Sequence, residues 1–132
     1  MEMIRPDIQL IARIVVSDPA AGKVLLVRPD PEDERWWLPS GDLTPFQHPD
    51  ARARELLDAV PGLAWDGLRM TGVESFRGRR GWHVLFDYHA TGSSSGGETG
   101  TAAWFAPDAM PRTMFGRHER DTVEKVLGTD RV

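Results

Sequence analysis

Cysteine is absent from the 132-residue chain. That removes disulfides, thiolate nucleophiles and cysteine-based zinc sites together. Long apolar runs are missing too, so nothing approaches the length of a membrane span and no membrane partner is expected. The start, MEMIRPDIQLIARIVV, has no extended apolar stretch behind a basic segment, so no secretory signal is expected. Positive charge is not in excess. Sixteen Lys and Arg face twenty Asp and Glu, a net charge of −4. This argues against nucleic acid as an obligate partner, because phosphate-backbone binding draws on a basic surface. What is present is 40% apolar and 27% charged, the balance of a soluble globular protein. The expectation is one domain over residues 1–132, located in the cytoplasm.

Local patterns give the elements. Ile8–Asp18, rich in β-branched residues, reads as a strand, and DPAAGK turns it into the buried strand Val24–Arg28. Pro29–Arg35 is a polar, proline-broken loop, and Trp36–Pro39 is a short extended piece ending in the turn PSGD. After His48-Pro49-Asp50, apolar residues recur at Ala53, Leu56, Leu57 and Val60. This is the i, i+3, i+4, i+7 spacing of a helix that packs one face, with Pro49 suited to its first turn and Pro61-Gly62 stopping it. Such a helix exposes Arg52, Glu55 and Ala59.

Strands return at Gly67–Gly78 and Trp82–Gly92, flanking a hairpin tip with Arg77, Arg79 and Arg80. Thr91–Gly100 is rich in Gly and Ser and reads as a mobile loop. Thr101–Pro107 is one more strand, and Arg117–Gly128 is a second helix packing through Val123, Val126 and Leu127. The order predicts an α+β fold, an α/β/α sandwich around a mixed sheet.

Arg54-Glu55-Leu56, with Gly41 upstream and Gly62 downstream, resembles the Nudix box, Gly-x5-Glu-x7-Arg-Glu-U-x-Glu-Glu-x-Gly-U with U aliphatic. The strand VLLVR, the WWLPSG lead-in and a late AAWF strand followed by a helix fit the same superfamily, so the resemblance covers nearly the whole chain in element order. The box is degenerate. Gly41 to Gly62 keeps the overall spacing, but Arg54 falls one residue early. The first glutamate would fall at Phe46 or Gln47, and the paired glutamates correspond to Asp58 and Ala59.

The resemblance implies metal-dependent cleavage of a pyrophosphate bond in a small nucleotide-like molecule. Divalent metal neutralises charge on the phosphoryl oxygens, and Mg²⁺ needs only one or two carboxylates beside substrate phosphates. Glu55 and Asp58, three apart on a helix, share a face. They are the expected catalytic and metal-binding pair, holding Mg²⁺ or Mn²⁺ weakly. The plain alternatives are an i,i+4 ion pair between Arg54 and Asp58 and a solvated Glu55.

Arg28, Trp37, Gly41 and Arg80 are the expected substrate-binding residues, with Glu98 as a base or extra ligand. Trp36, Trp37 and Trp82 read first as core or cleft wall, with stacking of one of them on a nucleobase as the alternative. His48, His83, His89 and His118 show no metal spacing. Three functional readings remain open: a weakened pyrophosphohydrolase, a non-catalytic nucleotide-binding or interaction module, and an enzyme with acids relocated to Asp42, Asp50 or Glu98. Homodimers are common among relatives, so the resemblance leaves a homodimer open.

Overall fold

The computed structural model describes residues 7–78, 81–94, 100–111 and 117–130. Its organising element is strand β1 (Ile8–Asp18), which is buried on both faces from Ala12 to Ser17. That explains the nearly continuous apolar run, since a strand covered on both sides has no solvent face to mark with polar residues. One edge of β1 pairs in parallel with β5 (Gly81–Ser94) along its length. The other edge is shared. Its C-terminal end meets β2 (Lys23–Val27) and its N-terminal half meets β3 (Ser40–Asp42), both antiparallel. With β4 (Leu63–Gly78) and β6 (Ala102–Phe105) at the edges, the mixed sheet runs β4-β5-β1-β2-β6, with β3 alongside β1.

Helix α1 (Pro49–Asp58) begins where His48 Nδ1 accepts the Asp50 N–H at 3.1 Å, with Pro49 supplying a preset φ. It ends at Ala59, where Pro61 cannot continue the ladder and Gly62 turns left-handed at φ 72°. Its inward face is the one the spacing predicts. Ala53 and Leu57 are fully buried with Ala12, Ile14 and Val16, while Leu56 and Val60 pack at the margin. Burying Leu57 alone contributes roughly 1.5–3 kcal/mol.

Alternate residues point the other way. Val15, Val24, Leu26 and Leu38 pack on Val123 and Val126 of helix α2 (Arg117–Asp130). The helices therefore cover opposite faces, giving the α/β/α sandwich.

Beyond shifts of one or two residues at strand and helix ends, the structure differs from the sequence reading in these places. PSGD supplies strand β3 rather than only a turn, because Ser40–Asp42 answers backbone groups of Ile11–Arg13. Strand β4 starts at Leu63, and its pairing with β5 continues across an irregularity between Asp66 and Arg69, where Gly67 has φ 68°. Residues 91–94 extend β5 rather than opening a loop, and Glu98 lies outside the described residues, as do Arg79 and Arg80.

The α2 face also carries a buried cation that the pattern did not reveal. Arg13, 2% exposed, donates to Asp87 at 2.8 and 3.1 Å, Glu74 at 2.7 Å and Thr122 at 3.1 Å. One guanidinium thus joins β1, β4, β5 and α2. Burial pushes the Asp87 carboxyl above its ordinary value, Arg13 pulls it down, and neighbouring Glu74 adds to the rise.

Candidate functional site

Glu55 and Asp58 lie on the outward face of α1 and both are exposed. Each carboxylate has its own protein partner. Glu55 Oε1 accepts a hydrogen bond from the side-chain amide of Gln47, and Oε2 lies 3.6 Å from Arg52 Nη1. Asp58 Oδ1 accepts from the Trp65 indole N–H at 2.9 Å, and the Arg54 guanidinium stands 5.6 Å from the Trp65 ring centroid. Trp65 takes up both residues, and no Arg54–Asp58 ion pair occurs among the described residues. An indole on β4 thus replaces the i,i+4 pair that spacing alone allows.

The loop before α1 decides which residue stands in for the missing box glutamate. Gln47 folds back on Thr44, its Oε1 accepting from Thr44 N at 3.1 Å, and its amide reaches Glu55. Phe46 points away, fully exposed, in a left-handed conformation at φ 66°. Gln47 therefore occupies the position facing the helix.

Arg52 was expected to be exposed. It is instead largely covered, with 28% of its side chain accessible, and its Nε donates to the Asp42 carbonyl at 2.8 Å. This lays the guanidinium against Gly41, where a Cβ would stand 2.7 Å from Nη2. The absence of a side chain at Gly41 permits this close approach. Asp50, a relocated-acid candidate, accepts the buried Tyr88 hydroxyl instead. Burial, then the Asp50 carboxylate, raises the Tyr88 phenol above its ordinary value.

Arg28 and Trp37 do come together. With Val27, Pro29, Leu38 and Ser40 they line a pocket of about 400 Å³. Trp37 is set by reciprocal backbone bonds with Val27 at 2.8 Å, and Leu38 N donates to the buried Glu119 of α2 at 2.8 Å. Arg28 is built into the wall. Its Nε donates to Gly100 O at 2.6 Å, Nη1 to Asp33 O at 2.7 Å, and the guanidinium lies 4.2 Å from the Trp36 ring centroid. It fixes the Pro29–Arg35 loop while presenting positive charge at the pocket. Arg80 and Glu98 fall outside the described residues.

No group of three or more acidic or histidine side chains converges on a metal position among the described residues. Glu55 and Asp58 each accept one protein hydrogen bond, and a carboxylate so engaged keeps further lone pairs. They do not supply the donors of a multi-metal cluster.

A different pair imitates a nucleophile and base. Ser17 Oγ is 2.8 Å from His89 Nε2, and both residues are buried. Arg69 Nη2 approaches His89 Nδ1 at 3.3 Å. An arginine only donates, so Nδ1 accepts and Nε2–H donates to serine. The imidazole cannot take the serine proton in that tautomer, and the pair is structural.

No family model matches the sequence, and no curated protein matches it. Solved structures do. A Nudix hydrolase from Nitrosomonas europaea superposes with a TM-score of 0.65 at 20% identity, over 90% of this chain and 91% of that one. A UDP-X diphosphatase gives 0.67 at 18% identity, over 94% of this chain and 62% of its own. A MutT Nudix hydrolase from Burkholderia pseudomallei gives 0.65 at 18% identity, over 89% and 98%. Among the described residues no helix is long and apolar enough to cross a membrane. The six-stranded mixed sheet, the two covering helices and these superpositions together identify the chain as carrying the Nudix hydrolase fold.

Proposed function

We propose that the chain, acting as one domain, hydrolyses the pyrophosphate bond of a nucleoside diphosphate linked to another moiety. The observation that carries this is the position of Glu55 and Asp58, both exposed on the outer face of the helix that packs over Gly41. Glu55 and Asp58 would hold one Mg²⁺ or Mn²⁺, which neutralises phosphoryl charge and lowers the pKa of bound water. The chain's own residues orient and select. Gln47 and Trp65 each hold one of the two carboxylates through a single hydrogen bond. The Arg28–Trp37 pocket receives the remainder of the ligand, with an aromatic wall suited to a base and a cation suited to phosphate.

The UDP-X diphosphatase among the structural neighbours makes nucleoside diphosphate conjugates the first substrates to try. Pyrophosphate cleavage is to be measured across nucleotide sugars, dinucleoside polyphosphates and nucleoside triphosphates with Mg²⁺ or Mn²⁺. Cleavage abolished by Glu55→Gln supports the reading.

A second reading, a nucleotide-binding module without turnover, is favoured by one observation. Glu55 already carries Gln47 and Arg52 as partners, and no third acid joins it among the described residues. Wild type and Glu55→Gln equally inert, with a nucleotide still raising the melting temperature, is the outcome that selects it.

A further inference from the structure

We propose that Arg52 receives the ligand's diphosphate directly, so that anchoring it does not require a divalent cation. The inference rests on the diphosphate reading above and gives that site its fixed positive charge. A box with two acids carries fewer metal charges than one with four, and a diphosphate still needs its charge opposed when it leaves water.

Arg52 lies one helical turn before Glu55, so the two share the outward face of α1. Its Nε is spent on the Asp42 carbonyl at 2.8 Å, which orients the guanidinium plane. Gly41 lets that plane lie against the box turn, with Nη2 only 2.7 Å from where a side chain would begin. The Nη1 to Glu55 separation of 3.6 Å is an ion pair rather than a hydrogen bond. Among the described residues, then, Nη1 and Nη2 donate no hydrogen bond. Four N–H donors on a preset plane remain, on a side chain of which 28% is accessible to solvent.

A guanidinium edge matches two oxygens of a phosphate in one plane, which an ammonium cannot do. Glu55 beside it has a further use. It holds the arginine in place until a ligand phosphate takes its partner, and would then be released to meet a metal.

The test is titration calorimetry with ADP and with inorganic pyrophosphate, in EDTA and in Mg²⁺. Wild type is compared with Arg52→Gln, Arg52→Lys and, as a control on the far helix, Arg120→Gln. Wild type and Arg120→Gln are expected to bind in EDTA. Arg52→Gln should weaken that binding by about tenfold to a hundredfold, the scale of losing a charge-assisted contact. Arg52→Lys keeps the charge without the fork and should fall between, and its circular dichroism guards against a folding defect. Binding by wild type only with Mg²⁺, or equal binding by all variants in EDTA, overturns the assignment and leaves the diphosphate reading standing. Absence of binding under every condition overturns both.

Discussion

Gln47 donates its side-chain amide to the carboxylate of Glu55, at the position where the box pattern would place a glutamate. An amide neutralises nothing but satisfies a lone pair, so Glu55 is held without a second negative charge beside it. Changing Gln47 to Glu reverses this. Stability without metal should fall by about 1 kcal/mol as the hydrogen bond is exchanged for like-charge repulsion. Two adjacent carboxylates should in turn raise affinity for Mg²⁺ from a weak level, on the order of millimolar. Thermal melting with and without Mg²⁺ reads both effects. A variant whose melting temperature is as insensitive to Mg²⁺ as wild type would show that the two side chains do not share a site.

If the chain turns over, Glu55 carries more of the rate than any other box residue, being the acid retained in both type and place. Glu55→Gln preserves shape and should cost about a hundredfold or more in kcat. Ala59→Glu should raise the rate. Ala59 is exposed, its position four residues after Glu55 shares that residue's face, and a carboxylate there would join Glu55 and Asp58. Steady-state kinetics on a nucleotide sugar separates these outcomes. A faster Glu55→Gln variant would remove the acid from the mechanism.

Much of this was legible in the sequence. The i, i+3, i+4, i+7 spacing correctly placed Ala53 and Leu57 in the core because helix periodicity is local and the apolar face is the one a helix buries. What spacing could not show was where polar side chains go. Arg52, Arg54 and Asp58 each leave the helix for a partner on a neighbouring strand that helix spacing does not describe: Asp42 and Gly41 for the first, Trp65 for the others. Arg13 is the extreme case. It sits in the apolar run IARIVV, where one charge in a buried strand was the available signal, yet its partners lie 61 to 109 residues away. Pairing across a sheet depends on register, and register is a property of the whole fold.

That buried cation makes a stability prediction. Arg13→Met leaves Asp87 and Glu74 without their shared guanidinium and should destabilise the protein by about 3–5 kcal/mol. Replacing Asp87 by Leu in the same chain removes the more deeply buried of the stranded acids. The double variant should therefore recover part of the loss in urea denaturation. A double variant weaker than Arg13→Met would mean that shape, not charge, governs the site.

Tyr88 is the single tyrosine of the chain, so tyrosinate absorbance reports on it alone. Its phenol is raised above the ordinary 10.0 by burial and by Asp50. The folded state therefore holds this proton at pH values where the unfolded chain releases it. Stability contributed here is complete below about pH 10 and declines as pH rises further. Absorbance should appear only as tryptophan fluorescence reports unfolding. Tyr88→Phe should lower stability by roughly 1–2 kcal/mol and flatten that alkaline slope. A tyrosinate signal near pH 10 in the folded protein would contradict the contact.

Gly41 offers an independent route to Arg52 without touching it. A Cβ at this position would meet Arg52 Nη2 at 2.7 Å and Leu56 Cδ2 at 3.0 Å. The arginine tip can swing aside, but only by giving up the plane that its bond to Asp42 sets. Leu56 packs at the margin of the core and yields less freely. Gly41→Ala should therefore cost about 1–3 kcal/mol in stability, as overpacking does. It should also weaken ADP binding in EDTA in the same direction as Arg52→Gln, though by less, since the charge remains nearby. Gly72→Ala is the matched control, because a Cβ there meets nothing within 4 Å. If Gly41→Ala loses stability while binding in EDTA stays at the wild-type level, the orientation of Arg52 does not matter to the ligand. If both fall together and Gly72→Ala changes neither, the glycine serves the arginine.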